Sequence, residues 1–261
     1  MGQAPRRVRV AMSTGPRGRF KVAGGALCAE RPTIDPVEAH HMRVLRLGVG
    51  DHVVLFDGRG EEATAQLEMV TEDHVTARVL ERHTPATESA LDVWLIQAVP
   101  TKLTRMDLIV RQCTELGMTR LLPIIAARSQ VPSGGVGVIE ERRARWQRLA
   151  DAAAKQSRRT VVPHIGVPMR LQDLDWSSIP ELRLVCDPRG GSGALAQTLR
   201  NAPATRVALM VGPEGGWNAR ERALAQGSDA TTVAFGPRVL RADTAGAAAL
   251  AVLQHVWGDL G

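Results

Sequence analysis

The sequence contains no tyrosine and few other aromatic residues: three Phe and five Trp among 261 residues. Tyrosine can therefore supply neither an acid, a base nor a stacking surface to any site. The three cysteines, Cys28, Cys113 and Cys186, are too far apart in the sequence to suggest a zinc site or a disulfide framework, so no metal site is expected. This cysteine usage predicts a cytoplasmic protein, because thiols stay reduced there.

Several functional signatures are also absent. There is no Walker A loop, no Gly-x-Gly-x-x-Gly opening the first strand–helix unit and no nucleophile elbow. No apolar run is long enough to span a bilayer, so no membrane partner is expected. The basic start, Met1–Arg9, is not followed by the apolar segment and cleavage site of a signal peptide.

Lysine is scarce as well, although the chain carries a net charge of +6 and a pI near 10.2. Lys21, Lys102 and Lys155 are the three lysines, and the remaining basic residues are arginines. Arginine presents a planar fork that suits phosphate and stacks on bases, so a nucleic-acid partner is plausible. A compositional bias of the source genome is an alternative explanation for the Arg/Lys ratio, but it leaves the positive sign unexplained.

The first part of the chain predicts a small β-barrel-like module of about 70 residues. A short helix is expected over Asp35–Leu45, because Asp35 can cap it and Pro36 fits its first turn. Strands are expected at His52–Phe56, Ala63–Val70 and Val75–Leu80. The polar, proline-containing segment His83–Ser89 is predicted to be the linker.

Strands and helices then alternate, which predicts a mainly parallel sheet covered by helices. The expected strands are Leu91–Val99, Leu121–Ile125, Leu182–Cys186, Val207–Val211 and Thr231–Phe235. The expected helices are Leu103–Leu116, Val138–Arg158, Asn218–Gln226 and Ala242–Trp257. The last helix carries an alanine-rich apolar stripe that could pack against a second subunit or within its own chain; both possibilities stay open.

Two of these strands end abruptly in glycine, within the segments Leu209–Trp217 and Val233–Gly246. Glycine lets another group approach the backbone closely. Ligands of open α/β sheets bind at the carboxyl edge, where such turns leave backbone donors and acceptors free. The alternative is two tight turns without a ligand.

Basic residues cluster in two other places. Lys155–Arg159 lies at the end of the long helix, and His40–Arg46 lies in the N-terminal module. Each cluster could clamp phosphate. The alternatives are a cationic helix end that favours the dipole and an ordinary solvated helix face.

Seven blocks in order along nearly the whole chain resemble the RsmE family of ribosomal RNA methyltransferases, in the knotted SPOUT superfamily. The blocks are His40-His41 with Val44-Leu45-Arg46; Gly50-Asp51 with Phe56-Asp57-Gly58; Lys102, Arg105-Met106-Asp107 and Thr114-Glu115-Leu116-Gly117; Arg128-Ser129; Arg145-Trp146 with Gln156-Ser157, Arg159 and Pro163; Gly212-Pro213-Glu214-Gly215-Gly216; and Arg238 to Ala245. The sequence departs from the family pattern at Gln112, Trp217, Phe235-Gly236-Pro237, Asp243 and Arg158, the last standing in place of a glycine.

The resemblance implies an α/β fold: a SPOUT-type knotted parallel sheet with helices on both faces, after a small PUA-like barrel. It places a PUA-like RNA-binding domain at 15–84 and a methyltransferase domain with a C-terminal trefoil knot at 89–261. The implied reaction transfers a methyl group from S-adenosylmethionine to N3 of a uridine in 16S rRNA of the 30S subunit, by a homodimer. An RNA-binding assembly factor that keeps the fold without catalysis is the alternative function; a small-molecule enzyme binding phosphate at its glycine turns fits the arginine clusters poorly.

The resemblance also implies site residues. Those expected to bind the cofactor are Met210, Val211, Gly212, Glu214, Gly215, Phe235, Gly236, Val239 and Leu240. Uridine N3 carries a proton, so something must stabilise the developing uracil anion; the residues expected to do so are Arg128, Arg159 and Arg241, with Glu115 positioning one of them. Those expected to bind RNA are Arg19, His40, His41, Arg43, Arg46, Lys102, Arg105 and Arg158.

Overall fold

The computed structural model describes residues 15–72, 74–129, 136–188, 199, 203–235 and 237–261. The chain divides after Thr84 into two compact units, and each is described by itself. None of the described helices is long and apolar enough to cross a membrane.

The N-terminal unit is a four-stranded sheet with one helix. Its strands, in spatial order, are β1 (Arg19–Lys21), β2 (His52–Phe56), β3 (Glu62–Val70) and β4 (Val75–His83). β1 runs parallel to β2, and the other pairs are antiparallel. Sequence patterning finds β2 to β4 but misses β1, because three residues are too few to show alternation.

Helix α1 (Pro36–Val44) begins as its sequence predicts. The Asp35 carboxylate accepts a hydrogen bond of 2.8 Å from the Val37 N–H, and the proline occupies the first turn. Ala39 and Met42 are buried against the sheet, in a core that includes Phe20 and Leu55.

The C-terminal unit is built on a parallel sheet of order β11-β9-β10-β5-β6-β7, with β8 also pairing with β6. The strands are β5 (Asp92–Ala98), β6 (Arg120–Ile125), β7 (His164–Ile165), β8 (Met169–Arg170), β9 (Arg183–Cys186), β10 (Arg206–Val211) and β11 (Thr231–Val233). The helices are α2 (Leu103–Glu115), α3 (Val136–Gln156), α4 (Ala219–Gly227) and α5 (Ala242–Trp257). Short 3₁₀ turns lie at Ala26–Cys28 in the N-terminal unit and at Leu171–Asp173 and Trp176–Ser178 in this one.

Both faces of this sheet are covered, as the near-continuous apolar strands require. Val93 and Leu95 of β5 lie in the core beneath α2, α3 and α5. Trp94 and Ile96, the alternate residues, lie in a second core that includes Ala225 of α4. The predicted fold class, a parallel sheet with helices on both faces, is therefore confirmed.

The last helix has the predicted bounds, but its apolar stripe is only partly buried. Ala249 and Leu253 are fully buried in the core beneath α2, whereas Val252 is 37% exposed and Val256 is 47% exposed. Leu108 of α2 is also 41% exposed. The stripe thus serves intramolecular packing on one side and leaves aliphatic side chains in solvent on the other.

Helix α3 ends in a Schellman motif whose left-handed residue is an arginine. The Arg159 N–H donates to the Ala154 carbonyl at 2.9 Å, and Arg158 has φ of 64°. Glycine is the usual residue at this position, because a side chain there is strained. The departure of Arg158 from the family's glycine therefore lowers the stability of this helix end.

We expect Arg158→Gly to raise the free energy of unfolding of the C-terminal unit by about 1 kcal/mol, because the strain of the left-handed residue is removed. Urea unfolding followed by tryptophan fluorescence measures this, since all five tryptophans lie after residue 84. Arg148→Gly, the same change at an exposed position within α3, should instead lower stability by about 1 kcal/mol. If Arg158→Gly and Arg148→Gly lower the free energy of unfolding equally, the left-handed Arg158 is not strained.

Candidate active site

A cavity of about 540 Å³ opens at the carboxyl edge of the parallel sheet, where β9, β10 and β11 end. Its volume lies within the usual range of small-ligand sites. Its walls come from three segments and one arginine: Cys186–Pro188, Val211–Trp217, Val233–Phe235 with Arg238–Ala242 and Ala245, and Arg128. Both glycine-ended segments predicted from the sequence therefore meet in one cavity.

The first glycine segment is a tight turn held against an indole. The Gly216 N–H donates to the Pro213 carbonyl at 2.8 Å, and Gly216 has φ of 68°. A Cβ on Gly212 would lie 3.0 Å from the Trp217 indole nitrogen, so the ring packs directly on the glycine backbone. That nitrogen is buried and makes no hydrogen bond with the described residues. A side chain at position 212 would therefore press on the indole, which glycine avoids.

Helix α4 starts immediately after this turn, and a capping box between Asn218 and Glu221 holds its first turn. The Asn218 side chain accepts from the Glu221 N–H at 2.8 Å, and Glu221 accepts from the Asn218 N–H at 2.9 Å. The second carboxylate oxygen of Glu221 accepts from the Ala127 N–H at 2.7 Å. Glu221 is 7% exposed. One buried carboxylate therefore ties the glycine turn to the loop that carries Arg128.

Arg128 lies between the cavity and a neighbouring cleft. Its guanidinium donates to the Gly215 carbonyl at 2.8 Å, and a Cβ on Gly215 would lie 3.2 Å from the Arg128 Cβ. The neighbouring cleft, about 460 Å³ and here called the side cleft, is lined by Thr101, Ala127, Arg128, Ser129, Glu214 and Gly215. Among the described residues Arg128 has no acidic partner, so its positive charge is available to a bound group.

Arg105, at the start of α2, holds two walls of the cavity together. It donates to the Glu214 carboxylate at 2.8 Å, and its Nε lies 3.8 Å from the Asp243 carboxylate. Arg241 lies 3.4 Å from the other oxygen of Asp243. Arg105, which the sequence predicts to bind RNA, is therefore paired within the protein. It links the glycine turn to the start of α5.

Most of the residues predicted to bind the cofactor line this cavity: Val211, Gly212, Glu214, Gly215, Phe235, Val239 and Leu240. Met210 does not; its side chain is fully buried on the sheet face under α4. Gly236 lies outside the described residues. Of the predicted catalytic residues, Arg128 and Arg241 are at the cavity.

Sequence reasoning missed the wall that follows β9. Cys186 and Asp187 line the cavity, and Asp187 is 4% exposed. The signal was available, because parallel strands end at one edge and this strand was predicted to end at Cys186. Burial raises the pKa of the Cys186 thiol to about 12, so it is protonated near neutral pH and is a poor nucleophile. Trp217 and Arg238 were likewise not among the predicted site residues.

The structure does not bring Arg159 or Glu115 to the cavity. Arg159 is 4% exposed, and its guanidinium donates to the Glu88 carboxylate and to the carbonyls of Thr114 and Met118. Glu88 precedes β5, Thr114 lies in the last turn of α2 and Met118 follows that helix, so these partners lie at the amino edge of the sheet, opposite the cavity. Glu115 ends α2 at the same edge and is exposed. A catalytic role for either residue is therefore not supported within this protomer.

The residues predicted to bind RNA in the N-terminal unit differ in availability. His40, His41 and Arg46 are exposed. Arg43 donates to the carbonyls of Thr71 and Glu72.

The structure does not support the prediction that Arg19 contacts RNA, because its side chain is only 12% exposed. It pairs with Glu62 at 2.9 Å and lies 3.8 Å over the Phe56 ring. Its charge is thus compensated inside the N-terminal unit. Two further residues predicted to bind RNA, Lys102 and Arg158, belong to the C-terminal unit and are exposed. No group of His, Cys, Asp or Glu among the described residues is placed to hold a metal ion.

Comparison with known proteins relates the two units to RNA methyltransferases. Residues 87–254 match an RNA methyltransferase domain, and residues 34–80 match an RNA methyltransferase PUA domain. The ribosomal RNA small subunit methyltransferase E of Synechocystis is 36% identical over 241 residues, covering 90% of this chain and 77% of the relative. The protein of the same name from Bacillus subtilis is 30% identical, covering 87% of this chain and 91% of the relative.

Solved structures give the same picture. A ribosomal RNA small subunit methyltransferase E from Neisseria gonorrhoeae, bound to S-adenosyl methionine, superposes with a TM-score of 0.83 at 30% identity, covering 94% of this chain and 99% of that one. A putative methyltransferase from Legionella pneumophila, in complex with the same cofactor, superposes with a TM-score of 0.83 at 30% identity, covering 94% of this chain and all of that one.

Proposed function

Because this chain belongs to the ribosomal RNA small subunit methyltransferase E family and is an S-adenosylmethionine-dependent rRNA methyltransferase, we propose that it methylates N3 of a uridine in 16S rRNA. The observation that carries the proposal is the cavity at the carboxyl edge, whose glycine turns lie beside an arginine without an acidic partner among the described residues.

The residues present fit S-adenosylmethionine. Val211, Phe235 and Leu240 supply apolar walls for an adenine ring, and the turns supply backbone donors and acceptors for its edge. Glu214 lines the cavity while paired with Arg105, and Arg238 supplies positive charge for a carboxylate. When bound, the cofactor supplies an electrophilic methyl group on a sulfonium.

The side cleft is the proposed seat of the uracil. In the reaction uridine N3 loses its proton and forms a bond to the methyl carbon, while the bond between that carbon and sulfur breaks. Negative charge develops on the uracil as the proton leaves, and Arg128 lies on the cleft wall where it would stabilise that charge. N3 belongs to the Watson–Crick edge, so the target base must be unpaired or flipped out of its stack.

The exposed His40, His41 and Arg46 of the N-terminal unit are proposed to contact the rRNA, since their side chains are accessible. We place the reaction in the cytoplasm, where ribosomal RNA is found and where the three free thiols would stay reduced.

Two further parts of the proposal concern assembly and topology. A homodimer is supported by Leu108, Val252 and Val256, aliphatic side chains that α2 and α5 leave in solvent. A trefoil knot is supported by the path after the edge strand β11, because α5 then returns to pack against α2, β5 and β10 near the middle of the sheet.

A non-catalytic assembly factor, the alternative weighed from the sequence, predicts no methyl transfer. We expect the purified protein to label 16S rRNA of 30S subunits from a strain lacking this chain, when given S-adenosylmethionine with a labelled methyl group. Nuclease digestion and mass mapping should place the label on N3 of one uridine. Fully modified subunits are the control and should take no label. Folded protein that binds the cofactor but leaves unmodified subunits unlabelled would overturn the proposal.

A further inference from the structure

A continuous groove leads away from the side cleft along helix α4. The side cleft shares Ala127 with a second cleft, of about 340 Å³, that also includes Arg170 and Arg220. The second cleft shares Arg220 and Leu224 with a third, of about 650 Å³. We call the second and third clefts together the α4 groove. It shares no lining residue with the cavity at the carboxyl edge, whereas the side cleft shares Arg128, Glu214 and Gly215 with that cavity.

The first half of this groove is lined by two arginines and one glutamate, so its net charge is positive. Arg170 and Arg220 are both exposed, and neither has an ion pair or side-chain hydrogen bond with the described residues. Glu221 also lines this part, but its carboxylate is occupied by the N–H groups of Ala127 and Asn218. Two guanidinium groups without partners, lining one concave surface, suit the phosphates of a polyanion.

Many other arginines of the same unit are engaged. Arg145 pairs with Asp107, Arg206 with Asp92, and Arg183 donates to four backbone carbonyls. Arg170 and Arg220 are not engaged in this way, and they differ from other exposed arginines such as Arg148 because both line one concave surface.

The far end of the groove offers a different chemistry. Trp176 lines the third cleft as a half-buried indole, with the Arg183 guanidinium 5.7 Å from its ring centre. Asp229 lines the same cleft, so a phosphate is disfavoured there. An aromatic face beside a carboxylate suits a nucleobase, whose stacking requires no charge.

We propose that the α4 groove binds the single-stranded RNA next to the target uridine, with phosphates at Arg170 and Arg220 and a base at Trp176. The proposal rests on the proposed function, because the groove begins at the cleft assigned to the uracil. The side cleft and the groove are adjacent, since both are lined by Ala127, so a strand whose base enters the side cleft could continue into the groove. RNA is favoured over a protein partner by the positive charge and by the continuity with the side cleft.

The test is the double variant Arg170→Gln, Arg220→Gln in the full chain. Both positions are exposed, so the fold should be unaffected, which circular dichroism checks. We expect the KM for unmodified 30S subunits to rise roughly tenfold, with the KM for S-adenosylmethionine unchanged. The affinity for a single-stranded oligoribonucleotide should fall similarly, and its salt dependence should weaken by about 1.4 in the slope of log K against log salt, at roughly 0.7 per lost phosphate contact.

Arg148→Gln is the matched control, since Arg148 is an exposed arginine on α3, which covers the other face of the sheet. It should change each constant less than twofold. An unchanged KM for 30S subunits would overturn the proposal that the groove binds RNA. A raised KM for subunits with an unchanged slope of log K against log salt would overturn it as well. A loss of affinity for 30S subunits but not for the oligoribonucleotide would overturn it too, because the contact would then be with a ribosomal protein. Wild-type protein that fails to methylate any rRNA would refute the proposed function instead.

Discussion

Arg128→Ala should lower kcat for rRNA methylation by about 100- to 1,000-fold while changing the dissociation constant of S-adenosylmethionine less than about threefold. The guanidinium lies where the cavity meets the side cleft, and among the described residues it donates a hydrogen bond to the Gly215 carbonyl. Its main loss on truncation is therefore positive charge beside the uracil, which matters as the N3 proton leaves. Single-turnover kinetics and calorimetry with the cofactor measure the two effects separately.

Two variants control this result. Arg128→Lys keeps the charge but not the planar fork, so part of the rate should return. Arg238→Ala removes another arginine of the cavity wall, and it should raise the KM for the cofactor more than it lowers kcat. If Arg128→Ala weakens cofactor binding as much as it slows methylation, Arg128 binds the ground state and does not stabilise the uracil anion.

Arg159→Ala should destabilise the C-terminal unit by about 3 kcal/mol or more, because a half-buried Glu88 would lose its cation. The Glu88 carboxylate accepts from Arg159 at 2.8 and 3.0 Å and from the N–H groups of Thr160 and Val161 at 2.8 and 3.0 Å. The Thr114 and Met118 carbonyls would lose their donor as well. Urea unfolding followed by tryptophan fluorescence reports this unit alone, since the five tryptophans are confined to it.

The same experiment separates a structural from a catalytic Arg159. Below the unfolding transition, kcat per folded molecule should match the wild type, because the residue lies at the opposite edge of the sheet. Adding Glu88→Gln to Arg159→Ala should recover part of the stability by removing the unpaired charge. Arg158→Ala, at the exposed neighbouring position, should change stability by no more than about 0.5 kcal/mol. If Arg159→Ala unfolds at the same urea concentration as the wild type but has a greatly reduced kcat, Arg159 has a catalytic role.

The sequence predicts which strand ends meet in the cavity better than it predicts which charged residues lie beside it, and geometry explains the difference. A strand that ends in glycine is a local pattern, and parallel strands bring such ends to one edge. The position of Arg159 depends instead on the direction of a helix. α3 runs antiparallel to the strands, so the residues after it lie at the amino edge, although their charge and spacing resemble a phosphate site. The same argument applies to Glu115 at the end of α2.

Arg105 and Arg19 show a second limit. Both look like free cations in the sequence, and both meet a carboxylate that is distant along the chain: Glu214 for Arg105 and Glu62 for Arg19. Composition cannot reveal such pairs, because they depend on tertiary contacts. Helix bounds and buried stripes, by contrast, follow from short-range periodicity, and Met106, Ile109, Val110 and Cys113 of α2 are all fully buried as predicted.

The strand order has a consequence for synthesis on the ribosome. β10 lies between β9 and β5, yet its residues are translated after both. While residues before 206 emerge, β5 and β6 can pair under α2, but β9 has no neighbour and one edge of β5 stays open. An open edge of this kind recruits strands from other nascent chains. Pairing of Arg206–Val211 therefore closes the open edge of β5 and gives β9 its first neighbour, while the outer edge of β9 stays open until Thr231–Val233 follows.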